Sequence, residues 1–395
     1  MKPRGYGEVK WQFYLGLFWM VLIPPILHAQ DDSYRPPKTS LNGYLKFLQT
    51  VQFEDVDGNW TTDNIIHNRL NFKWFLSPSL KFVTEARTRL FYGETVETYP
   101  QYSDLVNRDV GYFDFSAIVV EGGAYFIHTT MDRLYLDWSV DNWQVRAGRQ
   151  RINWGQCFVW NPNDIFNAYS FFDFDYEERP GSDAVLVRYY TGTTSSVEFA
   201  TSFADSFDKF KMTAMYRWNV YDYDFQVIAG KVEQDMALGV GWSGQIKDAG
   251  FKGEATWLEP EHKSESERAV VITVSSDYTF KNSFFIHSEA IYNSFGNKAA
   301  GDLGFFSESR TPKTLTATEW SWFNEISYQV SPLVKAGVSS IYNPEVRSVF
   351  LGPNAEISLS DNLYVLFFGQ FFFGPDESQY DELGFLNYLR LKWSF

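Results

Sequence analysis

Apolar and polar residues alternate with a period of two along most of this chain. Between Ile66 and Phe75, the residues Ile66, Leu70, Phe72 and Trp74 share one face and His67, Arg69, Asn71 and Lys73 the other. In the next run Leu80, Phe82, Ala86 and Leu90 oppose Lys81, Glu85, Arg87 and Arg89. Further on, Phe210, Met212, Ala214, Tyr216 and Trp218 oppose Lys211, Thr213, Arg217 and Asn219. The end of the chain does the same: Phe385, Leu389, Leu391, Trp393 and Phe395 stand against Tyr388, Arg390, Lys392 and Ser394, with Asn387 the polar exception in the apolar set. This is the repeat of a strand with one greasy and one wet face.

Applied along the chain, the pattern predicts strands near 43–53, 63–76, 80–93, 127–140, 143–155, 184–192, 195–204, 209–221, 224–233, 236–247, 251–259, 268–280, 284–295, 321–330, 333–343, 350–360, 364–374 and 385–395, about 18 in all. Short connections such as "SPS", "DN", "GTT", "KDAG" and "SDN" alternate with a set that includes long segments at 94–126, 156–183 and 296–320. Short turns on one rim and long loops on the other describe an all-β, transmembrane antiparallel β-barrel with periplasmic turns and external loops. A barrel has no free edge, so its last strand pairs with its first and a chain can end inside the sheet. The terminal aromatic, Phe395, resembles the recognition signal for outer-membrane barrel assembly, which makes that machinery an expected partner. The competing reading is a soluble sandwich whose last strand happens to end on Phe395.

Composition favours the membrane. Aromatic residues make up 19% of the chain, with 37 Phe, 24 Tyr and 14 Trp. A soluble core does not need so many rings, whereas a wall with aromatic girdles at two interfaces does. At the N-terminus, basic Lys2, Arg4 and Lys10 precede an apolar run from Phe13 to Leu27 that Pro24 and Pro25 interrupt. With a small residue at Ala29, this reads as a signal peptide over 1–29. A periplasmic segment over 30–42 and a barrel over 43–395 follow. The single cysteine, Cys157, lies far from the cleavage junction and excludes an intramolecular disulfide.

If the apolar rows face lipid, the wet rows line a lumen. Lys46, Arg69, Lys73, Lys81, Arg87, Arg89, Arg133, Arg188, Arg217, Arg390 and Lys392 then form one basic wall, continuous because the last strand closes on the first. Inward acids on that side are chiefly Glu85 and Asp137. Across the barrel Glu254, Asp277, Glu289, Glu325 and Glu356 face inward, with Lys252 and Lys335 among them. The lumen is expected to be polarised across its width, although the chain carries a formal charge of -15. Guanidinium donors replace lost hydration around carboxylate, sulfate or phosphate, so such a wall favours anions; the plainer reading is that these arginines pair with lumen acids.

The stretch "WQVRAGRQRINWGQCFVWNPNDIFNAYSFFDFDYEERPGSDAV" is the most distinctive. Arg146 has the opposite parity to Arg149 and Arg151, and Gly148 is a place where a bulge would realign them. The loop at 156–183 carries Phe158, Trp160, Phe166, Tyr169, Phe171, Phe172, Phe174 and Tyr176. A loop so long and apolar has something to pack against. It is expected to fold into the pore as a constriction, with Glu177, Glu178 and Arg179 at the eyelet.

"GRQRINWG", "NPNDIFN" and "EERPGSDA" together resemble a motif block of alginate-export-like outer-membrane porins, over about 45 residues. The resemblance implies a similar strand number, a basic lumen suited to acidic polysaccharide, and Arg149, Gln150, Arg151, Trp154, Asn161, Asp164, Arg179 and Asp183 as the positions of interest. "DFDYEE" admits a calcium reading through Asp173, Asp175 and Glu177, without the glycine or spacing of a calcium loop; a solvated acidic turn is the alternative. His28, His67, His128, His262 and His287 sit in no nucleophile or zinc motif. No nucleotide fingerprint or nucleic-acid stripe is present, and no cofactor or metal is called for. The expected function is passive diffusion of small hydrophilic, anionic solutes across the outer membrane of a Gram-negative bacterium. A dedicated transporter of an acidic polysaccharide, or a barrel enzyme, are the alternatives.

Overall fold

A computed structural model describes residues 37–54, 57–109, 111–173, 175–262, 267–296, 311–375, 380 and 383–395. The signal peptide expected over 1–29 lies outside them. The described residues form nineteen strands in one sheet. In chain order these are β1 (Thr39–Phe53), β2 (Thr61–Ser77), β3 (Leu80–Gly93), β4 (Ser116–Glu121), β5 (Tyr125–Val140), β6 (Trp143–Gln150), β7 (Ser182–Tyr190), β8 (Ser196–Ser202), β9 (Lys211–Val220) and β10 (Tyr223–Val232). They continue as β11 (Asp235–Ile246), β12 (Ala249–Pro260), β13 (Ala269–Thr279), β14 (Phe284–Asn293), β15 (Trp320–Ser331), β16 (Val334–Asn343), β17 (Ser348–Ser360), β18 (Leu363–Phe373) and β19 (Phe385–Ser394). Two short helices, α1 (Glu94–Thr98) and α2 (Tyr102–Val106), lie between β3 and β4.

Each strand pairs antiparallel with the next, and β19 closes on β1 from Tyr44 opposite Ser394 to Phe53 opposite Phe385. Gly43 and Phe395 exchange backbone hydrogen bonds of 3.0 Å in both directions, so the last residue is tied into the seam. β4 is the exception to simple succession: β3 pairs with β5 along its length, and β4 joins the opposite edge of β5 at Ser116–Thr130 to Glu121–Phe126. There β6 has already stopped, at Gln150. Eighteen strands therefore form the closed wall, and β4 continues its edge where the chain leaves β6 for the interior. The strand runs expected from alternation all exist, with β1 starting at Thr39 instead of 43 and β6 ending at Gln150 instead of 155. β4 and the two helices fall within the segment read as a bare loop.

The outward rows are apolar and exposed, as in Leu45, Ile66, Leu136, Val197, Val227, Val240, Ile272 and Leu391. Rings cluster at both ends of these rows. On the turn rim Trp143 lies 4.7 Å from Tyr189, Tyr216 5.3 Å from Trp218 and Trp393 5.2 Å from Phe395. On the loop rim Tyr292 lies 5.0 Å from Trp320 and Trp322 6.1 Å from Tyr342. Two belts bounding an apolar band are what a bilayer selects.

One feature of the wall reverses the alternation. Opposite Glu85 and Ala86 of β3, the register of β5 skips from Arg133 to Met131 and leaves Asp132 as a bulge. Two residues then face one, so Asp132 and Arg133, 4% and 7% exposed, both reach inward. Strict parity hides Asp132 among the outward residues.

Candidate functional site

Residues 151–173 and 175–181 leave β6, cross the lumen and return at β7. On one side the inner wall near the loop rim is apolar: Leu186, Met215, Ile228, Val232 and Leu258 meet Ile152, Trp154, Ile165 and Phe166 of the loop. Val271, Ile291, Phe323, Ile341, Phe350 and Phe372 meet Val159, Trp160, Phe171 and Phe172. Burying these rings removes them from water in a way that an all-polar lumen would not allow. The assignment of apolar rows to lipid is thus incomplete: near the loop rim apolar side chains face inward as well, to receive the loop.

Glu254 on β12 and Glu289 on β14, both expected to line the pore, instead hold this loop by its backbone. Glu254 accepts from the N–H groups of Gln156, of Cys157 at 2.7 Å and of Asn163 at 2.9 Å. Glu289 accepts from Phe158 at 3.1 Å, Val159 at 3.2 Å and Trp160 at 2.7 Å. Successive N–H groups converging on one carboxylate form the concave anion site of a backbone nest. Asn163 adds a hydrogen bond from Nδ2 to the Val240 carbonyl at 3.0 Å and accepts one from Thr256 Oγ1 at 2.8 Å. Gly239 makes that approach feasible, because a Cβ there would stand 2.6 Å from Asn163 Oδ1. Trp154 donates from Nε1 to Glu198 at 3.1 Å.

The returning leg crosses to the basic wall. Lys46 reaches Asp175 at 2.7 Å, Arg390 reaches Glu177 at 3.0 Å and Lys392 reaches it at 2.5 Å. Glu178 accepts from the Tyr44 hydroxyl at 2.9 Å and lies 3.4 Å from Arg69. Arg133 donates to the carbonyls of Glu178 and Arg179 at 2.6 and 2.9 Å. Arg87 lies over the Tyr176 ring at 4.0 Å, and the Tyr176 hydroxyl donates to Asp132 at 2.9 Å. Asp132 also takes Arg69 and, at 3.2 Å, Arg87. Asp175 and Glu177, central to a calcium reading, are engaged by these cations. Arg179, at a left-handed φ of 59°, stacks over Tyr169 at 3.9 Å and donates to the Asp173 carbonyl at 2.9 Å.

Burial governs the loop's titration. It pushes the Asp164 carboxyl up to about 6, against the pull of Arg151. It also raises Asp173, with Asp175 adding to the effect, and raises the Cys157 thiol. For Glu177 burial acts in the same sense, but the Lys392 hydrogen bond and the Arg390 charge outweigh it and hold the carboxyl below its ordinary range.

The other expected lumen residues divide into two groups. Arg69, Arg87 and Arg133 are buried under the loop, and Arg89 is held against His128 at 3.1 Å. Below the loop, toward the turn rim, bases are presented and their acids withdrawn. Asp137 is 1% exposed on its side chain and accepts from Lys81, 37% exposed, at 3.1 Å and Arg146, 25% exposed, at 2.7 Å. Glu198, 2% exposed, accepts from Arg188, 25% exposed, at 2.7 Å. Arg217 is half-buried, bonds Gln226 at 3.3 Å and has no ion pair among the described residues. Glu325 faces the lumen beside His287 on the opposite wall.

Arg149 departs from expectation. Gly148 takes a φ of 119°, yet the ladder runs through it unbroken: Asp137 pairs with Arg146 and Leu134 with Arg149. Arg149 therefore stays on the outward row with Leu134, paired to Asp183 at 2.8 Å and to Asp109 at 2.5 Å. Asp109, Gly111, Phe113 and Phe115 cover it, with the Phe115 ring 4.6 Å away. Arg151 lies past the strand end, 3.3 Å from Asp164. Asn161 is buried beneath Gly155, where a Cβ would come within 2.5 Å of its Oδ1. The contact residues that alternation could not reveal are Asp132, concealed by its bulge, and Asn163 and Asp109, which make their contacts from irregular segments.

No protein-family model matches the chain, and no curated protein matches it. Solved structures do. OccAB4 of Acinetobacter baumannii superposes with a TM-score of 0.55 at 9% identity, over 91% of this chain and 98% of that one. OccK2 (OpdF) of Pseudomonas aeruginosa gives 0.56 at 9%, over 90% and 97%. The outer membrane protein OprD of Pseudomonas aeruginosa gives 0.55 at 9%, over 91% and 93%. The fold is that of an outer-membrane porin barrel.

Proposed function

We propose that this chain is a passive channel of the Gram-negative outer membrane, admitting small hydrophilic solutes with a preference for anionic groups. The observation that carries this reading is the arrangement below the loop: Lys81, Arg146 and Arg188 are partly exposed while Asp137 and Glu198 lie behind them. Charge pairing leaves such a surface basic toward the lumen, because solutes meet the donors and not the buried acceptors. In a narrow water path those donors compensate an anion for lost hydration. The apolar band and its two aromatic belts support the membrane location, and Phe395, closing the seam, suits assembly by the outer-membrane barrel machinery.

The motif resemblance to alginate-export-like porins supports a second reading, transport of an acidic polysaccharide. In this chain the motif residues Trp154, Asn161, Asp164 and Arg179 shape the crossing loop, whose attachment to both walls favours small solutes over a polymer. No reaction is needed for either reading. Planar-bilayer recording tests the proposal: a potassium chloride gradient should give a reversal potential of anion-selective sign. A barrel without ion current at any voltage, or a cation-selective one, overturns it. Acceleration of polymer flux with no conductance to small ions would favour the second reading.

A further inference from the structure

The outer face of the wall holds a row that does not suit lipid. Ser276 on β13 pairs opposite Ser288 on β14, Ser288 opposite Asn324 on β15, and Asn324 opposite Ser340 on β16. Four neighbouring strands thus place a polar side chain at one lateral position of the outward face. Rings of the loop-rim belt, Tyr292, Trp320, Trp322 and Tyr342, stand on one side of the row, and Tyr278, Phe280, Phe284 and Tyr328 on the other. The row therefore sits at the depth of the acyl chains. Ser276, Ser288 and Asn324 are exposed.

Ser288 Oγ donates to Asn324 Oδ1 at 2.9 Å, which engages the carboxamide oxygen and leaves its NH₂ group without a hydrogen bond among the described residues. That group has two donors, and hydrocarbon offers no acceptor for either. The outward neighbours of the row are Val274, Ala290 and Val338 together with the larger Ile286, Trp322 and Ile326, and Asn324 is exposed among them. The outward polar residues elsewhere at this depth are better covered: Asn68 and Thr88 are half-buried, and Thr88 bonds Thr129 at 3.1 Å. A row of Ser and Asn on neighbouring strands is the composition of protein contacts inside membranes, where hydroxyls and amides find partners.

We propose that the outer face of β13–β16 is the docking surface for a second copy of this chain, with the two polar rows hydrogen-bonded across a twofold axis. Ser and Asn both donate and accept, so the row is complementary to itself, as an isologous contact requires. The outer face of β13–β16 spans three strand spacings, about 14 Å, over an apolar band about 25 Å tall. That is roughly 350 Å² per protomer, which a contact with the ~800 Å² per partner of stable interfaces would extend onto β12 and β17. The same strands hold the crossing loop on their inner face through Glu289, Val271, Ile291, Phe323 and Ile341. The contact thus backs the wall to which the constriction is fixed. It stands independently of the solute preference.

The test uses the mature barrel in its native outer membrane and in mild detergent. Asn324→Cys should give a disulfide-linked homodimer under mild oxidation, whereas Val227→Cys, on a distant part of the wall, should not. Light scattering should return a dimer mass for the unmodified chain and a monomer for the Ser276→Ala, Ser288→Ala, Asn324→Leu variant. Heat-modifiable migration of that variant shows whether its barrel is intact. A monomeric unmodified chain, a dimer that survives the triple substitution with its barrel intact, or a crosslink from residue 324 to a different protein overturns the assignment.

Discussion

Replacing Glu254 and Glu289 together by Gln should release the crossing loop from its wall without opening the barrel. The two carboxylates accept hydrogen bonds from six backbone N–H groups, those of Gln156, Cys157, Phe158, Val159, Trp160 and Asn163. Hydrogen bonds to a charged acceptor contribute about 1.5–3 kcal/mol each. A carboxamide keeps one oxygen as acceptor but turns an NH₂ group toward donors, so about half of the bonds are lost. Three losses at the low end amount to about 4–5 kcal/mol, more than a thousandfold in the ratio of docked to undocked loop. The apolar contacts of Trp154, Trp160 and Phe172 and the ion pairs on the basic wall remain, so the loop should fluctuate and not detach. Single-channel recording should show larger and noisier conductance in E254Q/E289Q, with each single variant intermediate and heat-modifiable migration unchanged. Conductance and noise equal to those of the parent, in a folded barrel, would refute the latch.

Three further outcomes follow from the same geometry. Arg188→Glu should shift the reversal potential toward cations, because its side chain is 25% exposed to the lumen, whereas Arg149→Glu should leave selectivity unchanged and lower thermal stability, since Arg149 is sealed between Asp183 and Asp109; equal selectivity shifts in bilayer recordings would contradict the placement of Arg149. Asp164, whose carboxyl is pushed up to about 6, binds more protons in the folded chain than in the unfolded one between its ordinary value near 4 and about 6. Stability should therefore rise as pH falls through that window, by at most about 3 kcal/mol, before loss of the Glu177 ion pairs reverses the trend at lower pH. Thermal melts of D164N, followed by circular dichroism, should lack the rise. Gly239→Val should displace Asn163, which a Cβ would meet at 2.6 Å, and reproduce part of the noise of the Glu254 variant in recordings.

The barrel was legible because lipid outside and water inside impose one period on every wall strand, and β3, expected over 80–93, has those bounds. The last strand illustrates why: Arg390 and Lys392 can only face inward if Leu389 and Leu391 face lipid. Legibility failed where tertiary contacts outvote parity. Asp132 enters the lumen through a bulge that its neighbours' pattern does not mark, and Phe323 and Phe350 are apolar on the wet face because a loop covers them. The loop itself was readable from its rings, and Glu177, Glu178 and Arg179 do lie where it meets the basic wall. Its attachment was not readable: Glu254 and Glu289 look like any lumen acid until the backbone of residues 156–163 is placed against them. Gly148 suggested a bulge, but its left-handed φ is absorbed without a register shift, leaving Arg149 on the outward row.

The most direct measurement is the zero-current potential of the purified barrel in a planar bilayer across a tenfold gradient of potassium chloride. Partly exposed Lys81, Arg146 and Arg188 in front of buried Asp137 and Glu198 predict a potential of the sign set by chloride. A potential of the sign set by potassium would contradict that account of the lumen, and a silent bilayer would contradict the channel.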